Sequence, residues 1–237
     1  MIGYNVKEIN ELMEALNKSY KEIKTAMERP WNGLTKTLES EWVGPDEIAN
    51  VKTLAGALRE LYVSCKDTIL GVGKNVNAIG EAWKSFQAGN VIEGGEAAVI
   101  GLVHKIDEMI VQDGTLEIDV KEKNFRENEN LGLQNGQASV GKCNEAIDSY
   151  AKEVYNKVES LYQELDARKA FLGEDQAPRV TAYLHAMGKS IAKLTVCIKS
   201  VKEAIAKAAS SYTSQAGQVA DQVSGLKTDI DTNQSVI

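Results

Sequence analysis

No stretch of this chain stays apolar for long. The longest run, Ala97 to Val103, is broken by Gly101 and ends at His104, far short of the roughly 20 residues a membrane-spanning helix needs. Met1 to Glu8 lack the apolar core of a signal peptide. The expectation is cytoplasmic synthesis without a signal peptide, any exit occurring without a cleaved leader or with a particle such as a virion. Basic runs are missing too, and the formal net charge is −7, which argues against nucleic acid as a partner. Three cysteines, Cys65, Cys143 and Cys197, are too few and too scattered for a disulfide framework. His104 has Glu108 one helical turn on, but His185 lies in a separate segment and no further ligand completes a site. No metal or cofactor is expected. Only three prolines interrupt the chain, which leaves long stretches open to helix.

What the chain does have is a seam. After Trp42-Val43-Gly44-Pro45-Asp46 come Val51, Leu54, Leu58, Leu61, Cys65, Ile69, Val72, Val76, Ile79 and Trp83, spaced by threes and fours. That spacing draws one apolar stripe down a long helix. The pattern returns 129 residues later without an insertion. Phe171-Leu172-Gly173-Glu174-Asp175 matches the turn, and Val180, Tyr183, Met187, Leu194, Ile198, Val201, Ile205 and Tyr212 match the seam, with Ser190 and Ala208 at two weak positions. Cys65 and Cys197 fall on or beside these seams, where a thiol serves as a small hydrophobe.

Residues 4 to 41 read as helix through Ile9, Met13, Leu16, Tyr20, Ile23, Met27, Leu34 and Leu38, with a break expected at Pro30. Asp46 is the candidate N-cap of a helix running to about Phe86. Ala97 to Val111 reads as a shorter helix, although Val99 to Val103 also fits a buried strand. Asp113-Gly114 signals a turn. Leu116, Ile118 and Val120 alternate with acidic residues, as in a strand with one wet face, whose hairpin partner falls within 124–133. Helix resumes near Ser139, with Tyr150, Val154, Val158, Leu161 and Leu165 repeating the first copy at an offset of 127. Val219, Val223, Leu226 and Ile230 mark a weaker helix in the polar tail.

Catalytic signatures are hard to find. Gly71-Val72-Gly73-Lys74-Asn75 lacks the spacing and the Ser/Thr of a phosphate loop, so close helix approach explains it better. Asp229, Asp231 and Asn233 imitate a calcium loop without its glycine or final glutamate. Glu39 and Glu41 read as solvent-facing charge. Trp42 and Phe171 fit equally well as anchors for a partner or as plugs closing a helical hairpin.

Trp42-Val43-Gly44 between two long amphipathic helices resembles the Trp-x-Gly (WXG) family of helical hairpins associated with type VII secretion; the second copy carries Phe171 in place of the tryptophan. The resemblance implies a non-enzymatic protein that pairs with a related helical hairpin as export substrate or adaptor. The layout of helical body, β-arm and polar tail also looks like virion or filament subunits of phages.

The expected fold is all-α: two long antiparallel helical hairpins in pseudo-repeat, at 1–90 and 139–237, joined by a linker helix and small β-hairpin insert at 91–138. Two such hairpins cover each other's apolar stripes as a four-helix bundle, or find a neighbouring chain. The expected role is self-assembly without catalysis, with Trp31, Trp42, Gly44, Phe171, Gly173, Leu116, Ile118 and Val120 as interaction residues. The β-insert would act as an arm adding a strand to a neighbour.

Overall fold

The computed structural model describes residues 6–42, 45–89, 105–121, 137–172 and 177–234. Among them the elements are helical: α1 (Val6–Glu28), α2 (Trp31–Glu41), α3 (Pro45–Gly89), α4 (Glu108–Gln112), α5 (Gln137–Arg168) and α6 (Ala177–Gln234), with a 3-10 turn at Lys169–Leu172. The fold is all-α. The chain breaks at Arg29-Pro30, where proline has no N–H to donate; the last bond of α1 runs from Arg29 N–H to Thr25 C=O at 3.0 Å. α3 opens on Pro45, which suits a first helical position, so Asp46 lies inside the first turn instead of capping it. Gly44 and Gly173 lie outside the described residues.

The expected β-insert needs correction. Thr115 to Lys121 form no strand, and its supposed partner lies outside the described residues. Ile118 N–H bonds Leu116 C=O at 3.0 Å, a tight three-residue turn that strand geometry does not allow. The neighbouring backbone groups bond side chains. Glu117 N–H donates to Glu28 Oε1 at 2.8 Å, and Arg59 donates to Ile118 C=O. The alternation of Leu116 and Ile118 thus records a turn whose two apolar side chains are buried and whose neighbouring backbone groups pair with side chains. The helix expected over 97–111 is, among the described residues, only α4. Residues 105–107 lie outside the helix, and Asn17 takes their backbone groups, donating to Lys105 C=O and accepting from Asp107 N–H, both at 3.0 Å.

Two compact units divide the chain, each assembled from separated segments. Unit 1 is Met1–Trp31, Ala55–Ile118 and Tyr150–Thr195; unit 2 is Asn32–Leu54, Asp119–Ser149 and Val196–Ile237.

In unit 1, partner numbers fall along α1 as they rise along α5: Met27 with Tyr150, Glu22 with Lys157, Glu8 with Arg168. These two segments are therefore antiparallel. Glu60 with Lys193, and Gly71 against Tyr183, set α3 antiparallel to α6 in the same way. Ile9, Met13, Leu16, Tyr20, Ile23 and Met27 of α1 are buried, as are Leu58, Leu61, Cys65, Ile69, Val72 and Val76 of α3. Tyr150, Val154, Val158, Leu161 and Leu165 of α5 and Val180, Met187 and Leu194 of α6 complete the core. The second-copy seam is looser, with Tyr183 and Ser190 half-buried. Unit 2 has its own core of Leu34, Leu38, Trp42, Val51, Leu54, Cys143, Ile147, Val201 and Ile205.

Candidate functional site

Residues 105–118 form a strap laid over α1 and α3 of unit 1. Ile106 abuts Gly73, and Ile110, Leu116 and Ile118 are buried. Along the strap the contacts climb α1 from Asn17 through Tyr20 and Lys24 to Glu28, while on α3 they pass from Gly73 through Lys66 and Tyr62 to Arg59. Asp113 is the central fastening. Its Oδ2 accepts from Lys24 Nζ at 2.6 Å, from Tyr62 at 3.0 Å and from Tyr20, while its carbonyl accepts from Lys66. The two phenol oxygens are themselves 2.6 Å apart.

Charge states in this cluster are fixed. Burial pushes the Asp113 carboxyl up, but the hydrogen bonds from Lys24 and the two tyrosines outweigh it and hold the group at about 2. Burial, then the neighbouring Asp113, push Tyr20 well above a normal phenol, and burial also raises Tyr62. Burial works against the Lys24 ammonium, yet Asp113 and Glu28 raise it overall. A general acid or base works best when its pKa lies near the operating pH, and none of these does. The geometry is that of a latch. Beside it a hollow of about 740 Å³ opens between Lys21, Lys24 and Glu28 of α1 and Glu108, Gln112 and Asp113 of the strap.

The expected interaction residues fall in different places. Trp31 is buried and meets Tyr150 edge-on at 5.9 Å. Trp42 is buried in unit 2, its Nε1 without a hydrogen-bond partner. Leu116 and Ile118 are buried residues of the strap itself and Val120 is half-buried. Four residues expected as anchors for another chain, Trp31, Trp42, Leu116 and Ile118, thus serve the core of their own. Gly44, Gly173, His104 and the side chains of Phe171, Trp83 and Tyr212 lie outside what is described.

Cys65 and Cys143 are buried, which pushes both thiols up to about 12, and Cys197 is half-buried; all three are free. His185 is exposed. Among the described residues no cluster of His, Cys, Asp or Glu is placed to hold a metal, and no helix is long and apolar enough to cross a membrane. Glu41, expected to face solvent, accepts from Ser139 Oγ at 2.8 Å and from Lys142 at 2.6 Å. Hydrogen bonds from Lys142 and Ser139 lower its pKa.

Two features escaped the sequence reading. Tyr150 donates to Met27 C=O at 2.7 Å, in the last turn of α1, where helix carbonyls look to groups outside the helix for partners. The Asp113 latch escaped as well. Its signal was Tyr20 on the apolar seam of the first helix, since a buried phenol needs a polar partner. The remaining feature is on α6. Ala209 is 2 % exposed, yet residues 210, 211 and 213–224 are all exposed, with Val219 at 58 % and Val223 at 59 %.

Compared with known proteins, the chain matches no family model, no curated protein and no solved structure.

Proposed function

We propose that this is a non-enzymatic structural protein that joins copies of itself through amphipathic helix faces into a larger particle or filament, virion-like or extracellular. The observation that carries this reading is the uncovered stretch of α6, where two valines stand largely in water on a helix otherwise rich in Ser, Thr, Gln and Asp. Large apolar side chains aligned on a surface helix mark an interaction face. The antiparallel packing in unit 1 fits two duplicated hairpins covering each other.

A second reading is a WXG-like adaptor or export substrate of type VII secretion that binds a related hairpin. It is favoured by Trp42, buried between the end of α2 and the start of α3. Light scattering on the purified protein, checked by negative-stain electron microscopy, separates the two. Large regular particles or filaments support self-assembly. A small bundle formed only with a second hairpin protein supports the adaptor, and a monodisperse monomer that binds neither overturns both.

A further inference from the structure

The strap is a separable piece of unit 1. Four helix seams make the core, and residues 105–118 lie over two of those helices, adding Ile110, Leu116 and Ile118. Among the described residues its backbone-to-backbone bonds stay within itself, from Ile110 N–H to Asp107 C=O and from Ile118 N–H to Leu116 C=O. Each bond it makes to α1 or α3 has a side chain on at least one side. The strap can therefore leave its seat without breaking a helix ladder. Charge matches the two. The strap carries Asp107, Glu108, Asp113 and Glu117 against one lysine, and the seat answers with Lys21, Lys24, Arg59 and Lys66. Opposite charges of this kind select a partner and fix its register.

The repeated half of the chain offers no such seat. The counterparts of the four cations, at offsets of 127 on α5 and 129 on α6, are Asp148, Ala151, Gly188 and Thr195. There the hydroxyls of Tyr155 and Thr195, 2.8 Å apart, tie α5 directly to α6. Each chain thus brings one acidic strap and one basic seat.

Deepening the self-assembly reading, on which it rests, we propose that copies are joined by exchange of this strap: residues 105–118 of one copy occupy the α1–α3 seat of another. Covalent reach allows it. Ile106 abuts Gly73, sixteen residues (89 − 73) before the end of α3, or about 24 Å back along the helix. The connection over 90–104 can cover about 50 Å. The roughly 25 Å to spare exceeds the width of a helix, about 10–12 Å. An exchanged strap repeats every contact of a home-seated one, so local concentration decides between them. A short tether corresponds to an effective concentration on the order of millimolar; dilute chains keep their own straps and crowded ones trade them. One-way exchange passes from copy to copy and builds an open filament, whereas mutual exchange closes a dimer.

The test uses the wild-type chain, mixed in equal parts with an isotope-labelled preparation. Lys21 and Asp107 lie 2.7 Å apart and are both part-exposed, so a zero-length carbodiimide reagent joins them, and mass spectrometry reads whether the linked peptides share a label. In dilute protein the links are same-label; in assemblies up to about half carry both labels. A second variant reads the consequence. A Cβ at position 73 lies 3.7 Å from Ile106 Cβ, inside the roughly 3.5–4.5 Å that a disulfide spans. In a C197S background, G73C/I106C oxidised while dilute staples each strap at home, lowering the assembled fraction at least about tenfold on concentration, and reductant restores it. Circular dichroism checks that the variant folds. Assemblies with same-label links only, or stapled chains that assemble as reduced ones do, overturn the exchange and leave the assembly reading standing. A wild type that stays monomeric at about 0.1 mM overturns both.

Discussion

Lys24 Nζ lies 2.6 Å from Asp113 Oδ2, and around this pair the strap is fastened to two helices at once. Both side chains are largely shielded, at 25 % and 16 % exposed. The contact sits among the hydroxyls of Tyr20 and Tyr62, so it is a charge-assisted network more than a surface ion pair.

Asp113→Asn keeps the size of the side chain but removes its charge. The expected cost is about 1–3 kcal/mol, because two phenols and an ammonium lose their best acceptor. Urea unfolding reads the global loss. Hydrogen exchange at Asp107 and Glu117 reads the local one, since both amides bond side chains of α1, and faster exchange there with α5 unchanged is the expected pattern.

Acid should release the strap. Asp113 is held at about 2, below the ordinary value near 3.9 for an unfolded chain. Its contribution is therefore present in full above about pH 4 and lost as pH falls toward about 2. Lys24 is shifted the other way, upward, so its contribution persists through neutral pH and fades only in strong alkali. NMR titration of the Glu117 amide between pH 5 and 2 checks this, with D113N as the variant that flattens the transition.

Gly71→Ala and Gly73→Ala should both destabilise, by unequal amounts. A methyl at Gly71 meets the ring and hydroxyl of Tyr183, which is half-buried and can swing outward. A methyl at Gly73 meets Ile106 beside the Asn17 bonds to residues 105 and 107, so the strap itself must lift. The expected losses are below about 1 kcal/mol for G71A and about 1–3 kcal/mol for G73A. Gly56→Ala and Gly188→Ala meet nothing within 4 Å and should instead stabilise by up to about 1 kcal/mol through helix propensity. Thermal melts of the four variants give the order.

Tyr150→Phe removes one hydroxyl and leaves the Trp31 contact in place. The Met27 carbonyl, bonded at 2.7 Å in a buried setting, is left without its donor. A loss of about 1–2 kcal/mol is expected, measured by denaturant unfolding, with tryptophan fluorescence near its wild-type position.

The helices were legible in the sequence because their apolar residues recur with helical period, and Pro30 marked a break that chemistry enforces. Ile9 through Met27, and Tyr150 through Leu165, are buried as that period requires. The strap was illegible for an equally physical reason. Leu116 and Ile118 alternate as strand residues do, but alternation reports only which side chains are buried and not what pairs the backbone between them. Whether a backbone or a side chain supplies its hydrogen bonds depends on Glu28 and Arg59, roughly 90 and 60 residues away. For Trp42 the sequence left anchor and plug equally open, because an aromatic beside a turn looks alike whether it faces inward or outward; in the fold Trp31 and Trp42 are buried. Leu116 and Ile118 of the expected arm thus became core, while the end of α6, read as a weaker helix, is exposed at 213–224.

The seat of the strap exists only after its two supports have met. Asn17, Lys24 and Glu28 belong to one helix and Arg59, Tyr62 and Lys66 to another, so no half of the cleft holds residues 105–118 by itself. The order of events during folding follows: helix docking first, closure of the long connection last, with substitutions at Asp113 accelerating unfolding while leaving the refolding rate nearly untouched.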